Sequence, residues 1–453
     1  MNQTPVLPIL DVIPVAPLPR RPAPLIEDAI LVAAPAMLKP GPVLDVVPVE
    51  APEIPVLELA DKPNIFVRMG RGIASACGWL FGVLSLIAGL AVLAAIPIVQ
   101  FVTLGYMLEV GGRIARTGRL RNGFVGVRKA ARVGSLVLGT SLTLAPLYLV
   151  SAQATAAQLI DPTSPAARGW DIGLTALMVV VLLHIVGAWS RGGRLHHFFW
   201  PSGNPITLIR RLFHGEWLDV LGLVCLGNFW WLGRRLCQGG YYASARDAVW
   251  DFVVSLRLPY YFWLGLRGFG AGLAWLVVPV TLLAIGRQAP VVGFLGGFLM
   301  IVVFLYVPFV QMRLARDQSF LAGMNLRGVR RDFRRAPVAF AFAFFFTLLL
   351  SLPLFFFKIE MIPRDGAFLM TPFFILSMWP ARFLTGWAYA RATRRDLPRH
   401  WFFRWSSRLF MLPVAAIFVF FVYFSQFTSW YGIWSLYDQH TFLLPVPFFD
   451  FGK

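Results

Sequence analysis

Seven apolar runs constrain this chain more than any other feature. Residues 79–99, 135–150, 172–189, 273–285, 291–310, 338–357 and 409–427 contain no Asp, Glu, Lys or Arg. A helix rises 1.5 Å per residue, so crossing a hydrocarbon core near 30 Å takes about 20 apolar residues. Most of these runs reach or nearly reach that length. Backbone groups in lipid have no water to bond, so each run must satisfy itself as a helix. The expected fold is all-α: a polytopic transmembrane helical bundle over residues 67–453, with about 8 spans and a range of about 7–9. The chain is 58% hydrophobic, against roughly 45–50% for a soluble domain. No stretch is left over for a soluble catalytic domain.

Residues 1–66 read differently. The first 63 hold fourteen prolines, eight acids and four bases, and show no helical period. Such a segment buries too little surface to offset its ordering entropy, so a disordered, polyproline-rich tail is expected. It lacks the basic start and apolar stretch of a signal peptide. LDVIPV (residues 10–15) recurs as LDVVPV (44–49). That repeat is either a duplicated docking motif for a protein partner or drift in a Val/Pro-rich linker.

The net charge is +19, and the tail contributes −4. The excess of base therefore belongs to the apolar part, where it gathers in four segments. Residues 105–133 carry seven cations against Glu109, and 313–336 carry seven against Asp317 and Asp332. Residues 191–259 carry eight arginines against four acids, and 391–408 carry six against Asp396. The connectors between them, 158–171, 358–368 and 428–453, are nearly neutral. Lys and Arg concentrate on the cytoplasmic side of bacterial membranes. The alternation thus predicts a bacterial cytoplasmic (inner) membrane protein with its basic loops inside, meeting anionic lipid head groups. Cations split over four loops in step with the spans argue against a nucleic-acid partner.

Two stretches strain this topology. Residues 72–104 are too long for one upright span and too short for two easy ones; the reading favours a single tilted or kinked span over a hairpin. Residues 217–233 hold Asp219 and Asn228 and read as re-entrant or interfacial. Residues 241–258 continue as a helix lying in the interface, with Ala245, Val249, Phe252, Val253 and Leu256 on one face.

An echo links the two halves. YMLEVGGRIAR (106–116) matches YVPFVQMRLAR (306–316) at Tyr106/Tyr306, Arg113/Arg313, Ala115/Ala315 and Arg116/Arg316, and GVRKAAR (126–132) answers GVRRDFR (328–334). Four spans separate equivalent points, so the copies should run in parallel. Such repeats occur in transporters, although arginine-rich loops also converge easily.

No catalytic, cofactor or metal motif is present, so no catalytic, cofactor-binding or metal-ligating residue is assigned. Ionisable groups inside spans are the candidates for function, because burying them in lipid is costly. They are His184 in the middle of a span, Arg267, and Arg382 beside Pro380, where a helix break is expected. His184 fits a hydrogen-bonded packing role and Arg267 fits snorkelling to the head groups. His196, His197 and His214 form a weak interfacial cluster near Glu216. Cys77, Cys225 and Cys237 are too few and too scattered for a disulfide framework or zinc site, and read as small buried thiols. Gly268 and Gly272 fit small-xxx-small helix packing. Aromatics at 260–263, 401–405 and 430–437 read as interfacial belts.

Several strings, GYMLEVGGRIARTGRL, WSRGGRLHHFFWP, RDAVWDFVVSLRLPYYFWLGLRGF, PARFLTGWAYARATRRDLPRHWFFRW and QHTFLLPVPFF, together resemble an uncharacterised group of multi-pass membrane proteins from planctomycete bacteria. The resemblance covers residues 72–450. It implies an integral membrane domain of unknown function and carries over no site residues. Two function classes follow: a non-catalytic membrane component, either a transport or channel element or a scaffold, and, as the alternative, a membrane-embedded enzyme acting on lipid at the cytoplasmic interface.

Overall fold

The computed structural model describes residues 65–199, 213–214, 227–229, 231–237, 239–356, 370–428 and 432–438. The proline-rich tail with its repeat, Cys225 and most of the 217–233 segment lie outside them. Every regular element among the described residues is helical. Seven helical stretches are long and apolar enough to cross a membrane, as the sequence leads one to expect.

The order of helices explains the topology. Helix α1 (Ile65–Ala95) ends at a turn over residues 96–99, and α2 (Gln100–Thr117) runs back from it. Thr103 Oγ1 donates to the Leu90 carbonyl at 3.0 Å. At the other end Trp79 meets Phe124, seven residues past α2, with ring centroids 5.2 Å apart. Residues 72–104 are therefore a hairpin and not the single span expected. Pro97 cannot donate a helical hydrogen bond, and Ile98 next to it adopts φ 69. That is a costly conformation for a β-branched residue, and here it reverses the chain.

Helices α3 (Val127–Ile160) and α4 (Pro165–Ser190) form the next hairpin. Ser164 caps α4 by accepting from the Ala167 N–H at 3.1 Å. After the short α5 (Leu195–Phe199) come α6 (Tyr241–Ser255) and α7 (Leu258–Ile285). A break at Arg257, with φ 54, separates those two. Helices α8 (Pro290–Phe304) and α9 (Val307–Asp317) make one span kinked before Pro308. Short α10 (Phe320–Met324) and α11 (Leu326–Arg335) lead to α12 (Pro337–Phe356). Helices α13 (Met370–Thr393) and α14 (Trp401–Ser425) follow, and α15 (Ser435–Asp438) is the last turn.

Direct contacts put the basic segments at one end. Arg394 donates to the Gly118 carbonyl at 2.8 Å, Lys129 to the Ser255 carbonyl at 2.6 Å and Arg132 to the Gly192 carbonyl at 3.0 Å. The Arg399 N–H donates to the Arg334 carbonyl at 2.8 Å. Gly118 closes α2 with φ 71, a left-handed C-terminal position that a Cβ would disfavour. The far end holds the 96–99 and 161–164 turns and Tyr437, which bonds Thr281 at 3.2 Å.

Helix α6 has no buried residue. Its half-buried line runs through Tyr241, Ala245, Phe252 and Leu256, while Val249 is 63% exposed. Arg132 lies over the Phe252 ring at 5.6 Å. Val253 of the expected face is exposed as well, so only Ala245, Phe252 and Leu256 of that face are half-buried. Three other expectations need correction. Cys77 and Cys237 are exposed, not buried; each sits on an outward face that lipid or water covers. Helix α13 runs unbroken through Pro380, because packed neighbours tolerate one missing backbone bond in a membrane helix. Tyr260 and Tyr261 turn inward, as shown below, and do not join the belt; Trp401, Phe402 and Trp405 stay exposed as expected.

Candidate functional site

Helix α2 is buried at fifteen of its eighteen residues. Small residues let its neighbours approach that closely. A Cβ added to Gly105 would collide with the Tyr261 carbonyl oxygen of α7, and one on Gly265 with the Phe101 carbonyl oxygen. Gly111 faces Gly386 of α13, and Gly112 faces Ala315 of α9. Helices α7, α9 and α13 thus enclose α2 with backbones nearly touching, as membrane helices with small interfacial residues do.

Two ion-pair clusters sit where these helices reach the basic end. In the first, Glu109 is buried and accepts from Arg113 Nε at 2.7 Å, Arg116 Nη2 at 3.0 Å and the Tyr260 hydroxyl at 2.8 Å. Gln318 donates to that hydroxyl at 2.6 Å. In the second, buried Asp332 accepts from Arg313 Nη1 at 3.0 Å and lies 3.7 Å from Arg316 Nη1. The two echoed arginine pairs therefore each close on one buried carboxylate. The copies also touch: Arg116 Nη1 donates to the Ala315 carbonyl at 2.8 Å. Both run toward the basic end, in the parallel sense expected. Behind the second cluster Tyr389 donates to the Phe309 carbonyl at 2.8 Å and lies under Arg316, 5.3 Å from ring centroid to guanidinium.

Arg382 is buried and donates to Gln311 Oε1 at 2.8 Å, while Gln311 donates to the Gly268 carbonyl at 3.3 Å. Arg267 is exposed on the outer face of α7. The two arginines do not share a cavity between helices. His184 is buried, 2.9 Å from the Phe198 carbonyl through Nε2. Asn228, fully buried, donates to the His184 and His197 carbonyls and accepts from Arg191 at 3.1 Å. That knot ties α4 to α5 and to the segment around Asn228. His196 and His197 stack edge to face at 4.2 Å, and His214 is exposed. Among the described residues no three His, Cys, Asp or Glu side chains converge as a metal site. Burial first, then His196 and the nearby arginines, pushes His197 down to about 4, so its ring is neutral near pH 7.

Sequence reading assigns Glu109, Asp332, Gln311 and Asn228 no role. The first two had a readable signal: they are the rare acids of segments carrying seven cations each. Asn228 and Gln311 bond residues dozens of positions away, which leaves no local trace.

At the basic end a groove of about 370 Å³ opens between α12, α13 and the start of α14. Arg391, Arg395 and Arg399 line it together with Phe342, Trp387, Phe403 and residues 336–339 at the start of α12. Comparison with family models, with curated proteins and with solved structures finds no match to this chain.

Proposed function

We propose that this chain is a non-catalytic scaffold of the bacterial cytoplasmic membrane. On this reading its basic end faces the cell interior, gathers anionic lipid there and presents its loops to partner proteins, and the proline-rich tail recruits partners of its own. The packing of α2 carries the reading. Alternating access needs an interior helix that can part from its neighbours, and α2 is held at Gly105, Gly111 and Gly112 with almost no surface free. The two arginines singled out within spans support it further: Arg382 is buried against Gln311, and Arg267 lies on the outer face. Kinship with the planctomycete membrane proteins belongs to the same proposal. Two of its strings, 105–120 and 380–405, supply α2, the end of α13 and the start of α14.

Thiol mapping in intact cells tests this. In a chain whose own cysteines are replaced by serine, cysteines at Met107 and Val110 should resist small thiol reagents from both sides. Labelling at either position would favour a water-filled path and end the scaffold reading. Cysteines at Arg119 and Thr163 should label from the inside and outside respectively; the reverse would overturn the orientation.

A further inference from the structure

The arginines of the α2 core are consumed by carboxylates and carbonyls. Those of the α12–α14 groove are not. Among the described residues, no hydrogen bond or ion pair joins the guanidinium groups of Arg391, Arg395 and Arg399 to another residue. Arg391 lies over the Trp387 ring at 4.8 Å and Arg399 over Phe403 at 5.4 Å. Stacking holds both cations against the groove wall and leaves their N–H donors for something else. Among the described residues no acid lines the groove; Asp396, in the same loop, is exposed and outside the lining. Below the arginines the wall is apolar. Phe342 packs on Trp387 at 6.0 Å and on Phe346 at 4.6 Å, and Leu349 is exposed one turn further along α12. Phe342 lies about 8 Å along α12 from Pro337, taking 1.5 Å per residue. The groove therefore sits at the level of the basic loops, and the outward side of α12 continues from it past Phe346 and Leu349.

An occupant of this groove needs a negative head and an apolar body joined in that order. We propose that the groove binds one anionic phospholipid, with its phosphate among Arg391, Arg395 and Arg399 and an acyl chain along Phe342, Phe346 and Leu349. The volume falls within the roughly 300–1,000 Å³ of small-molecule sites. Three guanidinium groups match phosphate oxygens, for which their planar forks are suited. The inference rests on the membrane-spanning reading and specifies its lipid contact.

The test uses the full-length chain purified in detergent. Thermal stability and bound lipid, the latter by native mass spectrometry, are followed against phosphatidylglycerol, phosphatidylcholine and inorganic phosphate. One variant replaces Arg391, Arg395 and Arg399 with Gln. A control replaces Arg119, Arg121 and Arg128, which are exposed on another basic loop. Phosphatidylglycerol should stabilise the wild type saturably with one lipid retained. The groove variant should bind it roughly tenfold to hundredfold more weakly, given the attraction of each surface cation for anionic lipid, while the control stays near wild type. Equal weakening in both variants would mean general surface charge and overturn the site. Equal binding of phosphatidylcholine would reduce it to an apolar crevice, and stabilisation by phosphate alone would make it a free-anion site; either result overturns the lipid assignment. Should the groove variant be poorly folded, Arg399→Glu alone, at an exposed position, should still weaken phosphatidylglycerol and spare phosphatidylcholine. If instead the wild type needed no detergent, the membrane reading itself would fall, and that outcome is distinct from a failed groove.

Discussion

Helices α2 and α3 are neighbours in sequence and opposites in environment. Fifteen of eighteen residues are buried in α2, and only Val127, Ser135, Gly139 and Ala154 of the 34 in α3. The more apolar helix is the more exposed one. Helix α3 presents Val137, Leu142, Tyr148 and Leu149 outward, whereas α2 carries Gln100, Thr103 and Glu109 inside. Lipid tails are as apolar as a leucine side chain, so burial against another helix gains little from hydrophobicity. Close backbone approach and paired charges hold the interior, and apolarity only marks what faces lipid. Several mutations test this division.

The largest effect is expected in the second ion-pair cluster. Asp332→Ala would leave both arginines with Asp317 as their remaining acid, 3.7 Å from Arg313 Nε and 2.7 Å from Arg316 Nε. Breaking one partner of a buried pair costs about 3–5 kcal/mol. Reversible unfolding in detergent should show a loss of that order, and adding Arg313→Leu should recover much of it. A cost near that of a surface substitution would mean the pair is not what binds α9 to α11.

Glycines make the same comparison without charge. Gly105→Ala places a methyl against the Tyr261 carbonyl oxygen, while the same change at Gly173 of α4 meets nothing within 4 Å. The first should destabilise by about 1–3 kcal/mol, the range for overpacking a tight site. The second should be neutral or stabilise by up to about 1 kcal/mol, because alanine outranks glycine inside a helix. Similar effects at both sites would show that α2 is no tighter than the periphery. Leu149→Ala, on the exposed face of α3, should stay within about 0.5 kcal/mol.

These contrasts also mark what the sequence could tell. The spans of α1, α3, α4, α7, α8 with α9, α12 and α14 are legible, because apolar residues fill their windows at outward and buried positions alike. Helices α2 and α13 were harder. Each is long enough to cross, at about 27 and 36 Å taking 1.5 Å per residue, yet Glu109, Arg113, Arg382 and Arg391 interrupt their apolar pattern. An interior helix can carry such residues when partners are built in, so hydropathy undercounts the helices that matter most for packing. The hairpin at Pro97 was missed for a related reason: the apolar run continues straight through the turn, since both arms lie in the bundle. The basic segments read as loops in sequence, yet much of their length is helical, in the ends of α2 and α9 and in α6 and α11, and their contacts place them at one end. Which arginines were spent and which remained open was beyond one-dimensional reading. Arg113 and Arg391 look alike in sequence; only the position of Glu109 one turn before the first, and the apolar wall beside the second, separates them.

The smallest expected effect lies at the edge of the exposed half, where α5 docks on α4. His197 is half-buried beside His196, Arg132, Arg191 and Arg194, and its Nδ1 accepts from the Arg194 N–H at 3.4 Å. Its ring titrates near 4 in the fold and near 6.5 when unfolded. Between those values the unfolded chain binds more protons, so stability rises with pH across that window. The contact is whole above pH 6.5 and is lost as pH falls toward 4. Solvent around a half-exposed ring screens the effect, so it should appear as local loosening and not as global unfolding. Hydrogen exchange should speed up over residues 195–199 between pH 6.5 and 4, after correction for the intrinsic pH dependence of exchange, and leave α2 unchanged. A His197 imidazole found by NMR to titrate above pH 6 would contradict this account. Equal loosening of α2 would mean that the interior depends on the periphery, and the contrast between α2 and α3 would not be one of independent parts.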